Sequence, residues 1–463
     1  MNEHGLIDSA VGKARAAAPM WAQASISTRT HLLRSLADAL EAGKDVLVQL
    51  ADDETHLGAP RLNGEVARTA FQLRGFAEQL ELGKSQIRIV DEAVVGVPPV
   101  GRPQLTRVLR PLGPVAMFSA SNFPFAFSVL GGDTASALAA GCPVVIKAHS
   151  GHPKLSQAVY DLALNVIENQ GLPDGLLTLV DNASRGAGAY LVQHPDIAAV
   201  AFTGSYQGGT ALWKLANERP RPIPFFGELG SINPLVALPH ALEQNGEALA
   251  NTLAASMTLG CGQFCTSPGV IVLLEGQASE RFVGQLVEAL APIKTHAMLT
   301  AGILAGFEQA SAHVGANATT LLAPGEADAG PAPRLYACDA ATFVANPALR
   351  EEMFGPGALV VKASDLEQVH QVLDAIGGTL TCTLWGVDQD TPANRALVHA
   401  AEAVSGRVLF AGVPTGVAVC AAQQHGGPWP SSTAPQTTSV GYAAMERFLR
   451  PVALQDAPVW AQG

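Results

Sequence analysis

Charge is scarce in this sequence. Only 15% of its 463 residues are Asp, Glu, Lys or Arg, and 40 acidic against 28 basic residues give a formal net charge of −12. That composition excludes a disordered chain or a coiled coil, both of which need more charge and less apolar matter. The acidic balance disfavours nucleic acid and anionic membranes as partners, while a local basic pocket for one small anion stays compatible with it. Cysteine is rare, at 6 positions (142, 261, 265, 338, 382, 420). There is no Cys-x-x-Cys, and no His stands at zinc-finger spacing from Cys261 and Cys265, so neither a disulfide framework nor a metal centre is predicted. Reduced thiols in a cytoplasmic protein are expected. Neither GxGxxG nor GxxxxGK[ST] occurs, so the two common phosphate-cradling fingerprints are missing. The opening MNEHGLIDSAVGK carries Glu3 and Asp8 and lacks the apolar stretch of a signal peptide. The uncharged run 111–132, which approaches the length of a membrane span, is broken by Pro114, Asn122 and Pro124. It is read as a buried strand, a loop and a buried helix, not as a membrane span.

Apolar residues make up 48% of the chain, and its length predicts two or three domains. Residues 7–85 read as helical, with Leu32, Leu33, Leu36 and Leu40 at helical spacing and a further helix from about 64 to 82. Residues 86–110 read as two strands in a hairpin-like excursion. From Pro114 short apolar strands (114–118, 142–147, 176–180, 198–202) alternate with helices, the pattern of a parallel sheet covered on both faces. A second series with strands at 269–274, 358–363, 380–386 and 406–410 follows. The fold class expected is α/β, with two doubly wound parallel-sheet domains divided near 238–241. Beyond Gly426 the tail GGPWPSSTAPQTTS is too rich in Pro, Ser and Thr for regular structure and is expected to pack on a neighbour.

Five segments carry residues able to do chemistry. Cys265 lies in LGCGQFCTSPG, whose Gly260, Gly262 and Gly269 permit tight turns that present a thiol at a loop tip; it is a buried structural cysteine or a nucleophile. Glu228, amid Phe225, Phe226, Leu229 and Ile232, is a paired carboxylate or a general base. Asn122 in SASNFPFAF caps a loop or donates to a developing oxyanion. Lys147 ends the strand CPVVIK, either snorkelling to solvent or pointing into the crevice beyond the strand ends. The FTGSYQGG turn offers free backbone N–H groups at a helix start for a phosphate.

Together these segments resemble the aldehyde dehydrogenase superfamily. The motifs are Asn122-Phe123-Pro124, VVIKAHSGHP, Phe202-Thr203-Gly204-Ser205, Glu228-Leu229-Gly230, Gly262-Gln263-Phe264-Cys265 and Glu351 to Pro356, in the family's order across residues 25–455. GGDTASALAAGCPVVIKAH, GQFCTSPG, GRVLFAGVPTGV and QHGGPWP look like the branch of 2,5-dioxopentanoate (α-ketoglutaric semialdehyde) and NADP-dependent long-chain aldehyde dehydrogenases. The N-terminus is shorter than usual for that branch, and position 231 is Ser where most of the superfamily has Gly.

The resemblance implies Cys265 as nucleophile, Asn122 as oxyanion donor and Glu228 as base for thioester hydrolysis. It implies cofactor contacts from Lys147, His149, Ser150, Arg185, Thr203, Gly204, Ser205, Glu352 and Phe354, and it implies no metal. Ser150 stands where NAD-specific members often carry Glu, and Arg185 is placed as NADP-dependent relatives place a phosphate-binding arginine, so NADP is expected over NAD. The domains implied are residues 1–90 and 110–240 for the cofactor, 241–425 for catalysis, and 91–109 with 426–463 as oligomerisation flap and tail of a homodimer or homotetramer. For the aldehyde, Arg68 and Arg74 suit a dicarbonyl acid, whereas Phe118, Phe123, Phe264 and Phe410 suit an aliphatic channel. An inactive binding protein on this fold, a CoA-acylating enzyme and a cysteine protease with a His beside Cys265 are the rival readings.

Overall fold

Four helices open the chain: α1 (Glu3–Gln23), α2 (Ile26–Ala42), α3 (Lys44–Thr55) and α4 (Ala59–Glu81). The structure is a computed structural model that describes residues 3–181, 184–323, 325 and 329–461. Leu32, Leu33, Leu36 and Leu40 are all buried, as their spacing predicts. Helix α4 starts several residues earlier than the apolar pattern suggests because Pro60 occupies its first turn with a φ already suited to a helix. The excursion follows as β1 (Ile89–Asp91) and β2 (Leu105–Pro111), an antiparallel pair.

The first large sheet contains β3 (Val115–Phe118), β4 (Val144–Lys147), β5 (Leu177–Val180), β6 (Ala199–Thr203) and β7 (Phe225–Glu228). Helices α5 (Gly132–Ala140), α6 (Pro153–Asn169), α7 (Arg185–Gln193) and α8 (Tyr206–Asn217) separate these strands. All pairs are parallel, in the order β5-β4-β3-β6-β7. Alternate residues face opposite layers. Val115, Met117, Val144 and Ile146 pack with α2 and α4, while Ala116, Phe118, Val145 and Phe202 pack with α1 and α7. Two-sided burial is why these strands read as unbroken apolar runs. The uncharged run 111–132 therefore contains β3, a loop and the start of α5, as expected. No helix among the described residues is long and apolar enough to cross a membrane.

The second sheet holds β8 (Leu235–Ala237), β9 (Val270–Leu274), β10 (Thr319–Leu322), β11 (Arg334–Asp339), β12 (Gly357–Ala363), β13 (Thr379–Trp385) and β14 (Ser405–Leu409). It is ordered β10-β11-β12-β9-β8-β13-β14, parallel except for β10 with β11. Its helices are α9 (Pro239–Thr258), α10 (Gln277–Leu290), α11 (Ala301–Asn317), α12 (Ala340–Ala345), α13 (Leu366–Ile376) and α14 (Pro392–Val404). Because β8 belongs to this sheet, the chain passes from one sheet to the other between Glu228 and Leu235, ahead of the division expected at 238–241.

The last strand, β15 (Leu449–Gln455), pairs antiparallel with β2 and completes a three-stranded sheet. In the tail before it, residues 428–433 pack on their own chain. The Leu229 amide donates to the Ser431 carbonyl at 2.8 Å, the Thr433 amide to Gly227 at 3.1 Å, and the Gly378 amide to Trp429 at 3.0 Å. Glu228 and Ser432 form a bridge. Strand β7 is an edge whose N–H and C=O groups need partners, and an irregular segment rich in Ser and Thr can supply them without forming a strand.

Candidate active site

Parallel register lines up the carboxyl ends of the first sheet: Lys147 opposite Phe118, Phe118 opposite Phe202, and Thr203 opposite Glu228. Ligands of such sheets collect beyond these ends. The segment between α9 and β9 brings Cys265 to the same place. Gly260 (φ 56°), Cys261 (φ 60°) and Gly262 (φ 67°) are three successive left-handed residues. A Cβ at position 262 would lie 2.3 Å from the Gly355 carbonyl group, so only glycine fits there. Cys261, with its Cβ, carries roughly 1–2 kcal/mol of backbone strain in that conformation. Asn233 restrains the turn from below, its Nδ2 donating to the carbonyls of Cys265 (2.8 Å) and Ser267 (2.9 Å).

Glu228 is buried at the end of β7. His425 Nε2–H donates to its Oε1 at 3.0 Å, and the Ser439 hydroxyl donates to its Oε2 at 2.6 Å. Cys265 Sγ lies 3.6 Å from the same Nε2, and its thiol hydrogen-bonds to Glu228. Carboxylate, thiol and imidazole donor atoms thus lie within 4.8 Å of one another, a set that could also hold a transition-metal ion. Asn122 is buried nearby, with one Nδ2–H donating to the Gln263 carbonyl at 3.0 Å. Arg61 donates to the Asn122 carbonyl and lies 5.1 Å from the Phe123 ring centre and 4.6 Å from that of Phe264.

Burial works against the Glu228 carboxylate, yet His425, Ser439 and Cys265 together hold it below the usual carboxylate range. Cys265 is pushed well above the ordinary thiol value by burial and by the charge of Glu228, with Arg68 acting in the opposite sense. The resting pair is therefore a carboxylate beside a thiol. The sign gives a test. Glu228→Gln removes the negative charge that disfavours the thiolate, so the pH profile of Cys265 alkylation by iodoacetamide should move to lower pH. A profile that stays in place would separate the two charges.

The strand-end residues fit a dinucleotide. Thr203 Oγ1 is buried without a partner at the end of β6. Ser205 caps α8, its Oγ accepting from the Gly208 amide at 3.2 Å. Gly204 is exposed beside it, where a Cβ would press on the Phe202 ring at 2.9 Å. Lys147 is half-buried and donates to the Ala148 carbonyl at 3.1 Å. Ser150 and Arg185, the first residue of α7, are exposed. Glu3 accepts from the Ser184 amide and hydroxyl, at 2.8 Å each, beside that helix start. His149 is different in kind: its Nδ1 accepts from the Gly151 amide at 2.9 Å, and burial lowers its pKa to about 4, so it brings no positive charge at neutral pH. Glu352 and Phe354 line a narrow cleft with Ser231, Gly262, Phe264 and Ser267. Glu352 is raised to about 7 by burial, and the charge of Glu228 adds to this.

Three of the substrate candidates fall elsewhere. Arg74 is held by Asp38 and Glu41, 2.6 Å from each. Six residues separate it from Arg68, which turns the two onto different faces of α4. Phe118 packs against Phe202 and Gly188 in the layer between the sheet and α7. Phe410 is 52% exposed, because β14 stops at Leu409 and the next residue turns outward beside Asp388 and His399. Phe123 and Phe264 meet edge to face at 5.3 Å beside the cysteine loop, and Arg68 acts electrostatically on Cys265. Sequence reasoning missed His425, Asn233, Arg61 and Arg407. The histidine sits in the quoted QHGGPWP but had no partner visible in sequence, and it supplies the Cys–His contact otherwise sought in a protease.

The profile of the aldehyde dehydrogenase family matches residues 3–450. The chain is 42% identical over 456 residues to α-ketoglutaric semialdehyde dehydrogenase 2 of Azospirillum brasilense, covering 98% of this chain and 87% of that one. It is 40% identical over 433 residues to α-ketoglutaric semialdehyde dehydrogenase of Acinetobacter baylyi, covering 92% and 82%. Among solved structures, 1-pyrroline-5-carboxylate dehydrogenase from Thermus with bound NAD superposes with a TM-score of 0.81 at 19% identity, covering 97% and 85%. Proline utilization A of Bradyrhizobium japonicum gives 0.80 at 23%, covering 97% and 45%. With a matching profile over nearly its whole length, relatives at 40–42% identity and the same fold, this chain belongs to the aldehyde dehydrogenase family.

Proposed function

We propose that this chain oxidises 2,5-dioxopentanoate (α-ketoglutaric semialdehyde) to 2-oxoglutarate with NAD(P)+ and releases the free acid by hydrolysis. The reading rests on the contact of Cys265 with a charged Glu228 and with His425, in a chain 42% identical to a protein of that named activity. Cys265 Sγ bonds to the aldehyde carbon as its proton passes to Glu228. The second Nδ2–H of Asn122 and the Cys265 amide stabilise the oxyanion of the thiohemiacetal. NAD(P)+, when bound, supplies the hydride acceptor. For the thioester then left on Cys265, Glu228, once it has released the first proton to solvent, takes a proton from water as its oxygen attacks the acyl carbon. The C–S bond breaks and Cys265 recovers a proton. His425 and Ser439 position Glu228 throughout.

The cofactor would lie along the strand ends, with Lys147 and Ser150 at the adenine ribose, the Thr203-Gly204-Ser205 turn at the pyrophosphate, and Glu352 with Phe354 toward the nicotinamide ribose. NADP preference is supported by a neutral Ser150 and by Arg185, while Glu3 beside the same helix start limits it. Arg185→Ala is expected to raise KM for NADP about tenfold and to raise it far less for NAD. Equal effects on both cofactors in initial-rate measurements would remove Arg185 from the phosphate site. A homodimer or homotetramer is supported by the exposed Val95, Val97 and Val100 in the β1–β2 excursion. Light scattering of the purified chain tests it.

A further inference from the structure

Arg68 and Arg407 come from different sheets' helices and strands, yet their guanidinium groups are fixed to one stretch of backbone. Arg407, on β14, donates through Nη1 to the Gly416 carbonyl and through Nη2 to the Pro414 carbonyl, both at 2.7 Å. Arg68, on α4, donates to the adjacent Val417 carbonyl. Each keeps a buried Nε–H with no hydrogen-bond partner. Among the described residues no carboxylate lies within ion-pair distance of either, whereas Arg74, Arg334 and Arg447 are each ion-paired. Glu65, one turn before Arg68, commits its Oε1 to the amides of Phe125 and Ala126. Arg29 and Arg219 also lack acidic partners, but they give their N–H groups to three and four backbone carbonyls. Both Arg68 and Arg407 also interact electrostatically with Cys265. Two half-buried cations with no carboxylate at ion-pair distance, Arg68 sensing Glu65 only through space, are joined by one loop near the nucleophile and are arranged for an anion delivered with the substrate.

We propose that, in the aldehyde oxidation proposed above, Arg407 and Arg68 form the subsite that holds the distal carboxylate of an oxo-acid aldehyde. Arg407 is then a specificity residue contributed by the second sheet to a site whose base sits on the first. The carboxylate would take the free Nε–H groups while the loop carbonyls of Pro414, Gly416 and Val417 keep the two guanidinium planes in place.

The test uses the whole enzyme with Arg407→Met, Arg407→Lys and Arg68→Met. With 2,5-dioxopentanoate, Arg407→Met should lose about a hundredfold in kcat/KM, with pentanal at least about tenfold less, and Arg407→Lys should recover part of the difference. An independent readout needs neither cofactor nor aldehyde. The rate of Cys265 alkylation by anionic iodoacetate, divided by that by neutral iodoacetamide and followed on the Cys265 peptide, should fall about tenfold or more in Arg407→Met and in Arg68→Met. Equal losses for the two aldehydes, or an unchanged alkylation ratio, would overturn the subsite and leave Arg407 as a support for the 414–417 loop. If the wild-type enzyme itself prefers pentanal, the substrate assignment fails, and the alkylation ratio alone then decides whether an anion subsite exists.

Discussion

Cys265→Ala is expected to abolish aldehyde oxidation, lowering kcat by at least about ten-thousandfold, with the fold retained. The size follows from the absence of a substitute. Of the other cysteines, Cys142, Cys261 and Cys382 are buried, and among the described residues the cluster around Glu228 takes its one thiol from Cys265. The substitution removes a half-buried sulfur at a turn held by Asn233, Gly260 and Gly262, none of which depends on it. Thermal unfolding should therefore move little while NAD(P)H production stops. Activity surviving within tenfold would place the nucleophile elsewhere and dismantle the mechanism.

Glu228→Gln should separate the two half-reactions. The variant keeps the shape of the side chain and loses the base that activates water. It should release about one equivalent of NAD(P)H per active site in a burst, then turn over at least about a thousandfold more slowly than wild type. The thioester would accumulate on Cys265 and be visible as an acyl adduct by mass spectrometry. Removing the charge also lowers the thiol's pKa, so the burst itself need not be slow. A loss of the burst together with the steady state would make proton transfer from Cys265 to Glu228 indispensable for the thiohemiacetal, with no other group able to take that proton. Added CoA failing to restore turnover would further separate hydrolysis from acyl transfer.

The sequence made the layers legible because their physical causes are local. Leu32, Leu33, Leu36 and Leu40 fall on one helix stripe, and VVIK or VAMF, buried on both faces, can only be interior parallel strands. The motif residues that end strands were legible for the same reason: Lys147, Thr203 and Glu228 stand at the carboxyl ends of β4, β6 and β7. What distance in sequence hides is pairing. His425 and Glu228 are brought together only because an irregular segment covers the edge of β7, and irregular segments have no period to read. The three arginines of α4 show a limit of a different kind. Arg61 and Arg68 are seven residues apart and share a face to within about 20°, whereas Arg74 does not, a distinction helix geometry contains but charge counting overlooks. Phe410 was misplaced by one residue of strand length, since β14 ends at Leu409. Arg407, on the same strand, was missed because an isolated arginine in GRVLF carries no signal until the loop at 414–417 folds onto it.

The measurement that bears most directly on the account is the rate of NADPH formation by the wild-type enzyme with 2,5-dioxopentanoate and with hexanal, compared as kcat/KM. The account predicts a preference for the dioxo acid of about a hundredfold or more, roughly 2.7 kcal/mol of transition-state stabilisation. A preference for hexanal would contradict it, replacing a carboxylate-binding site with an apolar channel beside Phe123 and Phe264.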